Sequence, residues 1–205
     1  MESIQLENDL ICIYFVLSKT NTIPSKLIHL FTKDEYCHLS ISMNKYLNKM
    51  YSFGRKGVYN LFNAGFITED IKSGLFQRMS KTKIAVFEYS VSLNQYHLIN
   101  KTLVDYLNNK DNLYFNHLDI WLMIFGGREI ELTDTFFCTQ FVTHLLNQCE
   151  ITLFDKSACK VRPQEYYGIG KLIYEGLASE YVFYDVPNRG MICQDQRHMI
   201  SFTNR

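Results

Sequence analysis

Residues 36–54, YCHLSISMNKYLNKMYSFG, are the stretch on which the fold turns. Polar and apolar side chains alternate along YCHLSISM. A strand sends successive side chains to opposite sides, so His38, Ser40 and Ser42 share one face and Cys37, Leu39, Ile41 and Met43 the other. NKYLN is a polar turn, and KMYSFG returns as a second short strand that Gly54 and Gly57 end. The pattern predicts a β-hairpin over residues 37–53, with a histidine opening its first strand.

On the N-terminal side, ICIYFVLSK (11–19) is apolar and rich in β-branched and aromatic residues, which predicts a buried strand. Pro24 followed by SKLIHLFT predicts a short helix. On the C-terminal side, 58–80 reads as irregular, with Gly65 and Gly74 as breakers. KIAVFEYSV (83–91) reads as a strand, and 93–109 has helical spacing through Leu98, Ile99, Leu103 and Leu107. Residues 114–125 read as helical. Asp134 and Thr135 stand as candidate caps before FFCTQFVTHLL, where Phe137, Phe141 and Leu145 recur every four residues as on a buried helix. A short helix follows Pro163, and EYVFYDV (180–186) reads as the last strand. Strands and helices in this order give an α+β fold, an antiparallel sheet packed against helices, and not a regular βαβ alternation.

Composition bounds the rest. A chain of 205 residues with 47% hydrophobic and 20% charged residues is globular and not disordered. It is read as a single domain over 1–205, with a core at about 10–175 and a C-terminal extension at 176–205. Lys+Arg and Asp+Glu are both 21, so net charge gives no reason to expect nucleic acid as a partner. The opening MESIQLENDLICIYFVL is acidic where a secretory signal needs basic residues. The apolar runs at 10–17 and 120–125 are too short to span a bilayer. The expectation is a cytoplasmic chain without stable membrane insertion. Charge is unevenly placed: between 45 and 83, eight basic residues (Lys45, Lys49, Arg55, Lys56, Lys72, Arg78, Lys81, Lys83) face two acidic ones, Glu69 and Asp70. Such a stretch is a solvated surface or a rim that attracts an acidic partner.

Six cysteines stand at 12, 37, 138, 149, 159 and 193. None forms a CxxC pair or has zinc-finger spacing to histidine, and no disulfide framework is expected. Cys138 is singled out by its place at the start of the 137–146 helix. Free N–H groups and the positive end of the helix dipole favour a thiolate there. The same N–H groups suit the oxyanion of a tetrahedral intermediate. A nucleophilic cysteine also needs a base, usually histidine, and His38 is the best placed of six. Taken alone, a cysteine on an apolar helix is ordinary core packing.

Two segments carry a resemblance. YCHLSISMNKYLNKMYSFGRK and YFNHLDIWLMIFGG…TDTFFCTQFVTHLL resemble the circularly permuted branch of the NlpC-type papain-like superfamily, to which the lecithin:retinol acyltransferase-like proteins are related. There a strand motif H-[VLA]-[GS]-[IV] precedes a motif like [YF]-C-[ST]-[EQ]-[FL]-[VA] by about a hundred residues. Here these are His38-Leu-Ser-Ile and Phe137-Cys-Thr-Gln-Phe-Val, with Cys138 following His38 by 100 residues. The resemblance covers roughly residues 10–175, and KVRPQEYYGIGKLIYEGL looks like the downstream extension.

The resemblance implies a papain-like fold with Cys138 as nucleophile and His38 as general base and acid. A third, polar residue on the next strand orients the histidine, and counting along KMYSFG puts it at Ser52. Many relatives have Glu, His or Asn there, so Ser is a departure. A hydroxyl accepts a hydrogen bond from imidazole but does not balance imidazolium charge. Gln140, two residues after the cysteine, reads as structural, and His144 as lying off its face. The expected activity is cysteine-dependent acyl transfer through a thioester acyl-enzyme, as a peptidase- or amidase-type hydrolase. The alternatives are an acyltransferase or amide-forming enzyme that draws on a thioester donor, such as one on an acidic carrier protein, and a non-catalytic binding domain. The substrate is then a peptide, lipid or small-molecule acyl compound, with no metal or cofactor.

Overall fold

The computed structural model describes residues 10–20, 33–56, 64–115 and 135–182. The expected helix after Pro24, the cap at Asp134 and most of the 114–125 and 180–186 segments lie outside these residues. The chain forms one mostly antiparallel sheet with few helices. Its elements in order are β1 (Leu10–Lys19), β2 (His38–Ser42), β3 (Met50–Arg55), β4 (Ala64–Glu69), α1 (Gly74–Arg78), β5 (Lys83–Ser92), α2 (Leu93–Asn108), β6 (Tyr114–Phe115), β7 (Thr135–Phe136), α3 (Cys138–Gln148) and β8 (Lys171–Leu177). In space the strands run β7-β6-β4-β3-β2-β1-β5-β8. Among the described residues, only the contact between the two-residue strands β6 and β7 is parallel.

The hairpin is there as read, with Ile41 opposite Tyr51 and Ser42 opposite Met50. Leu39, Ile41 and Met43 join the larger core cluster as alternation requires. β1 is apolar on both sides because it lies mid-sheet, between β2 and β5. Its Ile13, Phe15 and Leu17 enter the larger core with α2 and α3, and its Cys12, Tyr14 and Val16 enter a smaller one with Phe76 and Tyr181. Each large side chain so buried contributes about 1.5–3 kcal/mol.

Two expectations are corrected. Residues 64–69, read as irregular, form β4, paired with β3 from Met50–Glu69 to Arg55–Ala64. Gly65 is no breaker there: a Cβ on it would come within 3.1 Å of the Leu113 carbonyl oxygen, so a bare backbone is what lets the chain before β6 approach. The last described strand is β8; Glu180 closes the 3-10 turn Ala178–Glu180, and 183–186 of the expected final strand lie outside the described residues. Tyr114 and Phe115 are strand and not helix. No disulfide framework is described, but Cys12 is disulfide-bonded, whereas Cys37, Cys138, Cys149 and Cys159 are free thiols. No helix among the described residues is long and apolar enough to cross a membrane.

The helices have clear local causes. Ser92 and Gln95 form a capping box at the start of α2: the Ser92 hydroxyl accepts from the Gln95 N–H (3.2 Å), and the Gln95 side-chain oxygen from the Ser92 N–H (3.1 Å). α3 is anchored by Phe141, whose ring meets Phe53 at 5.3 Å, Phe66 at 5.4 Å and Tyr106 at 5.1 Å between centroids. Val142, Leu145 and Leu146 complete its buried stripe. Packing of this helix on β2 and β3 brings its first turn to the start of β2.

Candidate active site

Two elements supply the two reactive groups. His38 is the first residue of β2 and Cys138 the first of α3. The Cys138 side chain hydrogen-bonds to the His38 imidazole. The strand end and helix start that the sequence singled out, 100 residues apart, therefore converge.

The start of α3 is capped from within. Phe137 is the N-cap, and its N–H donates to the Gln140 side-chain oxygen at 3.3 Å, which gives Gln140 the structural role read for it. Thr135, a candidate cap, lies in β7 instead. The first intrahelical bond runs from the Phe141 N–H to the Phe137 carbonyl at 2.9 Å. The N–H groups of Cys138, Thr139 and Gln140 precede it, and no carbonyl within the helix is in position to accept them. Thr139 and Thr143 tie the helix to the chain that follows, through the Val161 carbonyl (2.6 Å) and the Tyr166 hydroxyl (2.9 Å).

The third residue is not the one expected. Ser52 is fully buried, and its hydroxyl donates to the Leu39 carbonyl at 2.6 Å, so it serves the backbone of the hairpin and not the imidazole. The oxygen facing His38 belongs to Glu69, the last residue of β4: its Oε2 is 3.2 Å from Nε2. The Ser40 hydroxyl donates to the same carboxylate oxygen and lies 3.3 Å from Nε2. Gly54 leaves room for this grouping, since a Cβ on it would lie 3.5 Å from the imidazole Cε1 and 2.9 Å from Ile67. The sequence reading missed Glu69 because it took 58–80 as irregular. The one signal for it was an acid at the end of AGFITE, a segment with apolar residues at its centre.

The electrostatics follow from burial and neighbours. Side-chain exposure is 22% for His38 and 9% for Glu69. Burial alone pulls the imidazole down, but the Glu69 charge, the hydrogen bonds to Cys138 and Glu69 and the charge of Cys138 outweigh it, and His38 titrates well above its ordinary range. For Glu69, burial pushes upward, while the His38 charge and the hydrogen bonds from His38 and Ser40 prevail and hold the carboxyl low. Imidazolium and carboxylate therefore favour each other. Such a group sets the Cys138 sulfur on one side of an imidazolium and a counter-charge on the other.

The remaining candidates stand apart. The His144 ring packs beside Phe136, with 5.4 Å between centroids. Cys37 is buried, and its N–H bonds to the Ser18 carbonyl. The Cys159 sulfur lies 3.1 Å from the Ser157 hydroxyl. Among the described residues, no group of three or more His, Cys, Asp or Glu is placed to hold a metal ion. No protein-family model, curated protein or solved structure matches this chain.

Proposed function

We propose that this chain is a cysteine-dependent acyl-transfer enzyme of permuted papain-like type, acting as a hydrolase on an amide, ester or thioester. The observation that carries the reading is Cys138, on the first turn of α3, hydrogen-bonded to an imidazole whose Nε2 rests on Glu69. That is the nucleophile, base and orienting group of thiol acyl transfer, recognised by geometry and role.

The steps follow from the groups present. The Cys138 thiolate attacks the substrate carbonyl carbon, and the oxyanion that forms is met by N–H groups of the helix start. The His38 imidazolium gives its proton to the leaving amine, alcohol or thiol as the carbonyl–heteroatom bond breaks, and a thioester on Cys138 remains. Water then attacks the thioester while His38 takes its proton. The acid departs, and the thiolate–imidazolium pair is restored. Glu69 keeps the ring oriented and stabilises its charged form throughout.

A second reading, transfer to an amine, is favoured by one observation. Glu69 offsets little of the basic stretch, because its carboxylate is turned to His38, while Lys49, Lys56, Lys72, Arg78 and Lys81 are exposed and Lys83 pairs with Glu35 at 3.9 Å. An acyl donor on an acidic carrier protein would suit such exposed cations. The test is mass spectrometry of the chain after incubation with short acyl thioesters and activated esters, with and without a primary amine. An acyl adduct on Cys138 that decays to free acid supports the hydrolase, and amide product supports the transferase. No adduct and no turnover with any of them would leave a binding module.

A further inference from the structure

The surroundings of one nitrogen of the His38 ring are well specified. Nε2 lies 3.2 Å from Glu69 Oε2 and 3.3 Å from Ser40 Oγ. Ser40 has one hydroxyl proton, and it goes to Glu69 Oε2. What Ser40 turns toward the imidazole is therefore a lone pair. An ionised carboxylate is acceptor-only as well, and Glu69 is held ionised by His38 and Ser40. Nε2 thus meets two acceptors. A neutral imidazole in that setting keeps its proton on Nε2, which leaves the Nδ1 lone pair free.

We infer that Ser40 is a positioning residue: by donating its only proton to Glu69 it fixes the carboxylate and stands beside it as a second acceptor, and the two together hold the Nε2–H tautomer of His38, so that Nδ1 is the nitrogen able to take a proton from Cys138. The inference rests on the reading of Cys138 as nucleophile. Ser40 is suited to the task because it follows His38 by two residues on one face of β2, so the strand itself sets its distance from the ring. It is 1% exposed, which keeps bulk water from competing for its hydroxyl. Its buried neighbours on the hairpin do other work. Ser42 donates to the Asn44 and Lys49 carbonyls of the turn, and Ser52 to the Leu39 carbonyl.

The test uses the full chain with nitrogen-15-labelled histidine. In Cys138→Ala, at a pH above the His38 titration, a long-range proton–nitrogen correlation should place the ring proton on Nε2. Adding Ser40→Ala leaves Glu69 as an acceptor no longer fixed by that hydroxyl and should bring in a minor Nδ1–H population, which Ser40→Thr, with the hydroxyl kept, should remove. In the chain with Cys138 intact, Ser40→Ala should slow iodoacetamide modification of Cys138 by about threefold to tenfold, the worth of one hydrogen bond. A ring proton on Nδ1 in Cys138→Ala overturns the inference without any Ser40 variant, so failure of such a variant to fold does not protect it. A folded Ser40→Ala with unchanged tautomer and unchanged modification rate overturns it equally. The acyl-transfer reading fails separately, by absence of any acyl adduct on Cys138 in the native chain, and Ser40 would then steady a ring that takes no proton from a nucleophile.

Discussion

The two ends of α3 carry the same residue type in opposite circumstances. Cys138 opens the helix and Cys149 caps its end. Both thiols are buried, at 8% and 0% exposure. Cys138 meets the positive end of the helix dipole and the His38 imidazole. Cys149 meets the negative end, and its thiol lies 4.0 Å from the Thr102 hydroxyl. Burial pushes the Cys149 thiol up, and the Thr102 contact offsets this only in part. Side-chain chemistry is identical at the two ends. Dipole sign and partner make one a candidate nucleophile and the other core packing.

The strongest way to break this contrast is to exchange each cysteine for alanine. Cys138→Ala should abolish the acyl-enzyme altogether while changing stability by about 1 kcal/mol or less, because little packing is lost at a helix start. Cys149→Ala should leave acylation intact and lower stability by about 1–2 kcal/mol, since a fully buried atom is removed. Intact-mass analysis with acyl substrates and urea unfolding of both variants report the two quantities. Brief iodoacetamide treatment of the native chain should mark Cys138 ahead of Cys37, Cys149 and Cys159, and peptide mapping that finds Cys149 first would reverse the contrast.

Next in size is the base. His38→Ala should slow acylation about 10²–10⁴-fold, the usual worth of a positioned proton acceptor. Single-turnover rates would show it, and a loss below threefold would mean that Cys138 reacts without His38.

Glu69→Gln sharpens the comparison through pH. His38 titrates above its ordinary 6.5 in the folded chain, so its contribution to stability is full below 6.5 and is lost as pH rises through the folded value. Glu69 is held below its ordinary 4.5, so its contribution is full above 4.5 and is lost as pH falls through the folded value. The stability gap between native chain and Glu69→Gln should therefore be widest between 4.5 and 6.5 and narrow on either side. The basic limb of the acylation profile should move to lower pH in the variant, because imidazolium loses its counter-charge. Unfolding midpoints and acylation rates across pH would reveal both changes, and an unmoved basic limb would remove Glu69 from the site.

The smallest catalytic effect is expected at Ser52. Ser52→Ala should cost about 1 kcal/mol of stability for its hydrogen bond to the Leu39 carbonyl, with acylation within about twofold of native. A drop in rate approaching that of Glu69→Gln would return Ser52 to the orienting role.

Much of this was legible in the chain because it is local. Alternation along 36–43 assigned the faces of β2, the spacing of Phe137, Phe141 and Leu145 announced α3, and a cysteine at a helix start is visible without coordinates. The hairpin, β1, β5 and α2 follow from periods of two and of three to four that persist over enough residues to be read. β4 was not legible: six residues with a glycine second and an acid last resemble a loop, and only pairing with β3 makes them a strand.

The sequence by itself determined that His38 would open a strand, that Cys138 would open a helix, and which of their apolar neighbours would join the core, since strand and helix periods act within a few residues. Only the tertiary structure decided that Glu69, and not Ser52, faces His38. That choice depends on the register of β3 against β4 and on where the side chains of three strands end up together. Ser52 found an acceptor in the Leu39 carbonyl, 13 residues away in the chain. Glu69 is 31 residues from His38, and no local pattern links them: the sheet joins them, and a buried carboxylate is stable there because an imidazolium and a serine hydroxyl meet it.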